Sequence, residues 1–466
     1  MRKMFIFFLV WVFAGSLFAQ DTLVLSFNEY LGYVKKHHPI AKQANLVVSM
    51  GQANLLKSRG GFDPKIEVDY DRKQFKGTEY WDRFNATFKI PTWYGLELKG
   101  NFEQNDGEFL NNAESLPEDG LYSAGVSLAL GQGLWINDRM ATLKKAKFFL
   151  EQTRADRELL VNQILFEASM AYFNWLLAYK ERNVYRDFLE NAQLRLKAIE
   201  TSATAGDIAA IDTVEAKIAY QTRALNLEQA NVALQNRALQ LSNFLWIGDN
   251  IPMELQPNVV PDVQLKNEVD ITLEILGKPL DSFTLENHPK LRSLGFKMEG
   301  LRVDKNLKAN KLLPKIDVEY NFLTESPTNS STFLTQEYKG GLNFVFPLFL
   351  RKERGDLKLA KFKLRDTEYE LDNTRLEIRN KVLAIYTELQ SFERQDQLSR
   401  EIVTNYDMLL AAEERKFSFG ESSLFLINTR ESQLISAELK QIEIEYKYLS
   451  AKAKLFNSLA LDPLNL

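Results

Sequence analysis

Few side chains in this sequence could do chemistry. It has no cysteine and three histidines, His37, His38 and His288, so thiolate chemistry, disulfides and imidazole-based metal sites have almost no material. It contains no Ser/His/Asp set, glycine-rich phosphate loop or metal-spaced cluster, so it reads as a non-enzyme with no cofactor and no metal site. His38-Pro39 and His288-Pro289 lie 250 residues apart in matching contexts and read as a repeated structural turn. Asp212 and Glu215 stand three apart on one helical face. Copies of that face around a shared passage would form an acidic ring that favours cations. On an outer face they would be ordinary solvated charges, and the sequence leaves both readings open.

The elements that position these acids are written twice. Between Arg139 and Ile247 there is no proline and one glycine, Gly206, and between Asp356 and Asp462 again no proline and one glycine, Gly420. A shift of 214 residues lays Ala146-Lys147-Phe148 on Ala360-Lys361-Phe362, Gly206 on Gly420, and Asn243-Phe244-Leu245 on Asn457-Ser458-Leu459. Each block reads as a very long helix, a glycine turn and a shorter returning helix, over 138–246 and 352–461. From Asp138 to Ala205 is 68 residues, on the order of 100 Å of helix. Such helices need support along their flanks. In the first returning helix Ile211, Ile218, Leu225, Val232, Leu239 and Trp246 recur every seven residues. Tyr220, Leu227, Leu234 and Leu241 form a second series two positions away, about 200° around the helix. The second repeat keeps part of each series, in Phe425, Leu439, Tyr446 and Ala453 and in Leu434, Tyr448 and Leu455. Two seams imply neighbours on both sides, as in a cylinder of helices, whereas a two-stranded coiled coil needs one.

Before each long helix comes a shorter one, expected over Ser26–Arg59 with Ser26 as cap, and over Ser282–Lys311. Alternating strands follow over 65–130 and 315–347. Ile66, Val68 and Tyr70 alternate with acids; Phe84, Ala86, Phe88 and Ile90, then Leu96, Leu98 and Phe102, then Tyr122 to Leu130 continue the pattern. The second set runs through Ile316, Val318, Tyr320 and Phe322, then Tyr338, Leu342 and Phe344. Strands of about ten residues with one apolar face suit an outer-membrane barrel, although a soluble half-buried sheet alternates too. Long polar loops at Gln104–Gly120 and Thr324–Gln336, set against a short turn at Pro91–Gly95 bearing Trp93 and Tyr94, favour the barrel. Six strands cannot close alone, since known barrels start at about eight. Closure therefore needs several chains.

Residues 1–19 read as a secretory leader, with Arg2 and Lys3, an apolar run from Met4 to Phe13, and Leu17-Phe18-Ala19 at the exit. No later stretch supplies 18 consecutive apolar residues, so membrane embedding must use strands. A formal net charge of −4 and a pI near 5.8 give no reason to invoke nucleic acid. The organisation is then a first repeat over 20–247, a proline-rich linker over 248–279 expected outside the cylinder as a belt, and a second repeat over 280–466.

At this point the chain resembles the TolC family of outer-membrane efflux proteins over nearly all of its mature length. Helix, strands, long helix, glycine break and returning helix, twice, is that family's order. Its hairpin tip has a glycine followed six residues later by Asp, and Gly206 with Asp212 fits. The second tip keeps Gly420 and the aromatic Phe417, but Leu426 stands in place of the acid. The resemblance implies a mostly α fold with a β-barrel portion. It implies a homotrimer that shares an α-helical barrel in the periplasm and a β-barrel in outer-membrane lipid. It also implies hairpin tips docking a periplasmic adaptor coupled to an inner-membrane pump of RND or ABC type. Gly206, Asp207, Ile208, Phe419, Gly420, Glu421 and Ser422 are then the candidate tip and adaptor-docking residues, and Asp212 and Glu215 the candidate periplasmic gate. Two features depart from the pattern. Members typically supply four strands per chain, twelve per trimer, against six here, so Trp81–Phe102 could instead be a hairpin outside the wall. A proline often joins the last strand to the long helix; Pro347 fits, but Gly131 stands there in repeat one. The competing reading is a periplasmic coiled-coil scaffold or adaptor, but no lipoyl-like β-domain separates Leu196 from Leu225. Drug, metal-ion and protein export share this layout and are not separable by sequence.

Overall fold

The computed structural model describes residues 23–275, 285–326 and 336–462. The expected leader, linker residues 276–279, the expected helix start at Ser282 and most of the Thr324–Gln336 loop lie outside these. In chain order the elements are β1 (Leu23–Leu25), α1 (Phe27–His37), α2 (Pro39–Arg59), β2 (Lys65–Phe75), β3 (Thr78–Pro91), β4 (Leu96–Asp106) and β5 (Leu121–Ala129). Then come α3 (Asp138–Ala205), α4 (Ala210–Ser242), β6 (Trp246–Ile247), β7 (Ile251–Pro252), β8 (Val259–Pro261) and α5 (Val269–Thr272). The second half supplies α6 (Pro289–Asn310), β9 (Lys315–Thr324), β10 (Tyr338–Val345), α7 (Arg351–Ser418) and α8 (Leu424–Leu459). Among the described residues no helix is long and apolar enough to cross a membrane.

The single helix expected over Ser26–Arg59 is two. Ser26 caps the first, its Oγ accepting from the Glu29 amide at 3.3 Å. Pro39 disfavours helical backbone at the residue before it, and His38 is extended, with φ −63° and ψ 134°. Its Nδ1 then accepts from the Ile40 amide at 3.2 Å and starts the next helix. His288 does the same for α6, accepting from the Lys290 amide at 3.1 Å, while Nε2 donates to the Ser458 carbonyl at 3.3 Å. These are buried caps in both repeats, which explains the doubled His-Pro. Burial lowers the pKa of both, that of His288 to about 4. A folded pKa below the usual 6.5 means that the unfolded chain binds more protons between those values, so the contribution is complete above about 6.5 and lost as pH falls toward 4. The thermal midpoint is expected to fall through that window. His288→Asn keeps an acceptor but does not titrate, and should flatten the slope.

α3 and α7 each carry 68 residues. α3 packs on α2 and α6 in its upper half and on α4 and α8 in its lower half; α7 packs on α6 above and α8 below. The helices thus form a wall in the order α2–α3–α6–α7 above and α4–α3–α8–α7 below. α3 stops where Gly206 turns left-handed at φ +86°, and α7 just before Gly420 at φ +77°, conformations that cost glycine little.

The main core lies at mid-height, where Phe27, Tyr30, Tyr172, Phe173, Trp175, Leu241 and Phe456 meet. The belt expected outside the helices lies on this core and closes it with Leu265, Val269, Leu273 and Ile275. It is tied to α7 by Lys266–Asp396 at 2.6 Å and to α8 by Lys452–Asp270 at 2.8 Å. β8 pairs in parallel with β1. The Tyr172 hydroxyl donates to the Leu25 carbonyl at 2.7 Å and accepts from the Asp262 amide at 3.1 Å, so one side chain holds strand and belt to α3.

All six long strands join one antiparallel sheet, in the order β10–β9–β5–β4–β3–β2. The Trp81–Phe102 segment is therefore part of the sheet. Its register puts apolar residues opposite apolar ones: Ile66 faces Phe88, Leu98 faces Val126, Val126 faces Tyr320, and Leu342 faces Val318. The other face is charged, with Lys99–Glu319 at 3.1 Å and Lys339–Glu103 at 3.8 Å.

Candidate functional site

The features that could act lie at the open edges of sheet and helical wall, and at the helical tips. Every residue of the two edge strands, β2 and β10, is exposed. The apolar face is bare as well, with Ile66 76% and Leu342 71% accessible. A long, apolar, unpaired edge is an association site unless another strand covers it. Six alternating strands leave β2 and β10 antiparallel to each other, so β10 of one copy can pair with β2 of the next.

The helical wall is open in the same sense. The α4 series Ile211, Ile218, Leu225, Val232 and Leu239 is exposed along its whole length. The companion series faces inward: Leu241 is buried, and Tyr220, Leu227 and Leu234 are half-buried. The opposite border carries its own seven-residue series on α7, with Phe362, Tyr369, Leu376 and Leu383 exposed. Lower down, a groove of about 830 Å³ between α7 and α8 is lined by Leu398, Ile402, Tyr406, Phe425 and Ile444. One border thus carries an apolar ridge and the other an apolar groove.

At the tips, Gly206, Asp207, Phe419, Gly420 and Glu421 are exposed. Ile208 is half-buried and packs into a small cluster with Ile199, Ala216 and Leu424 that joins the two hairpins. The Ser422 hydroxyl donates to Glu413 at 2.6 Å and so folds its own turn. Glu215 is half-buried and accepts from Asn428 of α8 at 3.0 Å. Asp212 lies in the first turn of α4, where a carboxylate is favoured by the helix dipole. Asp212 and Glu215 therefore sit on one helix in different surroundings, with Glu215 engaged by the other hairpin.

The strongest tie between the hairpins is not among the residues singled out by sequence. Glu431 of α8, 1% accessible, accepts from Arg223 of α4 at 2.8 and 3.2 Å and from Arg195 of α3 at 3.1 Å. Arg195 also reaches Glu414 of α7 at 3.0 Å. Four helices meet at this group. A sequence signal existed: Ala216, Arg223 and Ala230 are buried seven residues apart, so a base occupies a small-residue position and needs a buried partner. Higher in the shaft, burial raises the pKa of Glu181 and of Glu438, the latter also through Asp407 and Asp187.

Comparison with known proteins agrees with this geometry. The sequence profile of the family described as Outer membrane efflux protein matches residues 282–461. The chain is 22% identical over 349 residues to the pyoverdine export outer membrane protein OpmQ of Pseudomonas aeruginosa, covering 72% of this chain and 69% of that one. Its fold is similar to the outer membrane channel CmeC of Campylobacter jejuni, with TM-score 0.66, 14% identity and coverage of 93% and 85% of the two chains. It is likewise similar to the outer membrane protein VceC of Vibrio cholerae, with TM-score 0.64, 11% identity and coverage of 93% and 96%. The duplicated layout and the glycine-ended hairpins agree with the family profile over residues 282–461, and in sequence pattern and fold the chain is similar to the TolC family of outer-membrane efflux proteins.

Proposed function

We propose that three copies of this chain close a single duct, which carries solutes passively from the periplasm across the outer membrane and opens at its helical tips. The observation that carries this reading is the coincidence of open edges: β2 and α4 on one side of the protomer, β10 and α7 on the other. Ring closure satisfies all of them with one interface, as a head-to-tail cyclic contact does. The apolar sheet face then meets lipid, and the charged face lines the passage. Three six-stranded sheets make an eighteen-stranded wall. Barrel diameter grows roughly linearly with strand number, so this wall is about half again as wide as a twelve-stranded one.

Opening at the tips is supported by what holds them together. Side-chain ties join the hairpins, Glu431 with Arg195 and Arg223, and Glu215 with Asn428, over a small apolar cluster. A closed tip held by a few polar contacts can be moved by whatever competes for them. The exposed Asp207, Phe419, Gly420 and Glu421 with Gly206 present a surface for a periplasmic adaptor that links the duct to an inner-membrane pump of RND or ABC type. Asp212 stands at the same end as a candidate gate acid. The chain's own groups bind, line and exclude, and no step of bond making is required of them.

The mass of the mature protein in detergent tests the assembly. The expected result is three chains, and a single chain would favour the scaffold reading.

A further inference from the structure

We infer that the segment Gly107–Gly120, between β4 and β5, is a strap folded over the inner face of the wall that sets the largest solute able to leave the outer mouth. The inference rests on the duct reading, because it takes the charged face of the sheet as the inner one. Arg83 of β3 and Asn105 of β4 face each other across that pair, on the same face as Lys99 and Glu319. Glu114, in the middle of the strap, is bound to both. Its carboxylate lies 3.4 Å from the Arg83 guanidinium, and its backbone carbonyl accepts from the Asn105 amide side chain at 3.0 Å. The strap is therefore held on the charged face and does not extend away from the sheet end.

Its root is fixed as well. The amides of Glu108 and Phe109 donate to the carbonyls of Glu79 and Tyr80 at 3.3 and 3.0 Å, and the Phe109 and Tyr80 rings lie 4.6 Å apart. Gly107 permits this approach, since a Cβ there would come within 2.5 Å of the Trp81 Cα. Three copies reach inward from the wall at one level. Passage through such a level depends on solute width.

The test uses the chain's lack of cysteine. Ser127 lies on the charged face at the helix end of the sheet, lining a hollow of about 620 Å³ with Lys99, Glu319 and Arg139. In intact cells carrying Ser127→Cys, a small sulfonated maleimide added outside should label the site. A polyethylene-glycol maleimide of several kilodaltons should label it slowly. Replacing residues 109–118 by a short Gly-Ser link should speed the large reagent on the order of tenfold, as expected when a pore is no longer narrower than its solute, and leave the small one unchanged. Arg83→Ala with Glu114→Ala should act in the same direction without shortening the chain. Equal rates for the two reagents in the parent, or no effect of removing the strap, would overturn the proposal. Failure of even the small reagent to label Ser127→Cys would overturn the duct reading and the strap with it.

Discussion

Replacing Glu431 by alanine is expected to loosen the helical tips more than any other single change in the shaft. The carboxylate is buried beside two guanidinium groups, and its removal leaves Arg223, itself 7% accessible, without a counter-charge. Breaking a buried pair from one side costs about 3–5 kcal/mol. The cost falls on the contact between hairpins, so the resting conductance of the reconstituted protein should rise and its thermal midpoint fall. Glu431→Gln keeps acceptor capacity and should do less. Converting Glu431, Arg195 and Arg223 together to leucine removes the stranded charge, and should recover much of the lost thermal stability while conductance stays high. A triple variant no more stable than Glu431→Ala would show that packing rather than uncompensated charge dominates at this group.

Gly131→Ala is expected to prevent assembly, although it adds one methyl group. A Cβ at Gly131 would overlap the Pro314 carbonyl oxygen. The flanking amides of Leu130 and Gln132 donate to Ile316 and Pro314 at 2.8 and 3.0 Å across this seam. The methyl must separate the first repeat's sheet from the second's, at about 3 kcal/mol or more when the obstacle is backbone. This gives a physical reason for glycine where the second repeat has Pro347. Gly100→Ala is the control, since a Cβ there meets no atom within 4 Å. Recovery of heat-resistant oligomer from membranes reads both variants: Gly100→Ala should match the parent, and Gly131→Ala should yield little.

The parts legible in the sequence are those governed by local rules. Gly206 and Gly420 end the long helices because a left-handed turn selects glycine, and the period-two pattern marks strands because one face meets a different medium. The α4 series beginning at Ile211 was legible as a seam awaiting a neighbour, and the protomer leaves it bare. Other features depended on pairings far apart in the chain. Alternation in β3 and β4 is the same inside a wall or beside it; only the register of Leu98 on Val126 places them in the sheet. Glu431 lies more than 200 positions from Arg195 and Arg223, so the place of Arg223 between Ala216 and Ala230 marks the base, while no spacing within one helix names its partner. The break at His38 was different, because Pro39 was visible and its effect on the preceding residue outweighed the continuous helical pattern. The inward course of Gly107–Gly120 depends on Glu114 meeting Arg83, a contact that loop composition does not encode.

Electron cryomicroscopy of the mature protein in lipid nanodiscs tests most directly whether three chains complete one duct. The expected result is a threefold ring with eighteen strands in the bilayer, β10 of each protomer paired to β2 of the next, and the α4 ridge seated against the α7 border beneath. A twelve-stranded wall with the β3–β4 hairpin lying outside it, or a solitary protomer whose sheet edges remain open, would contradict it.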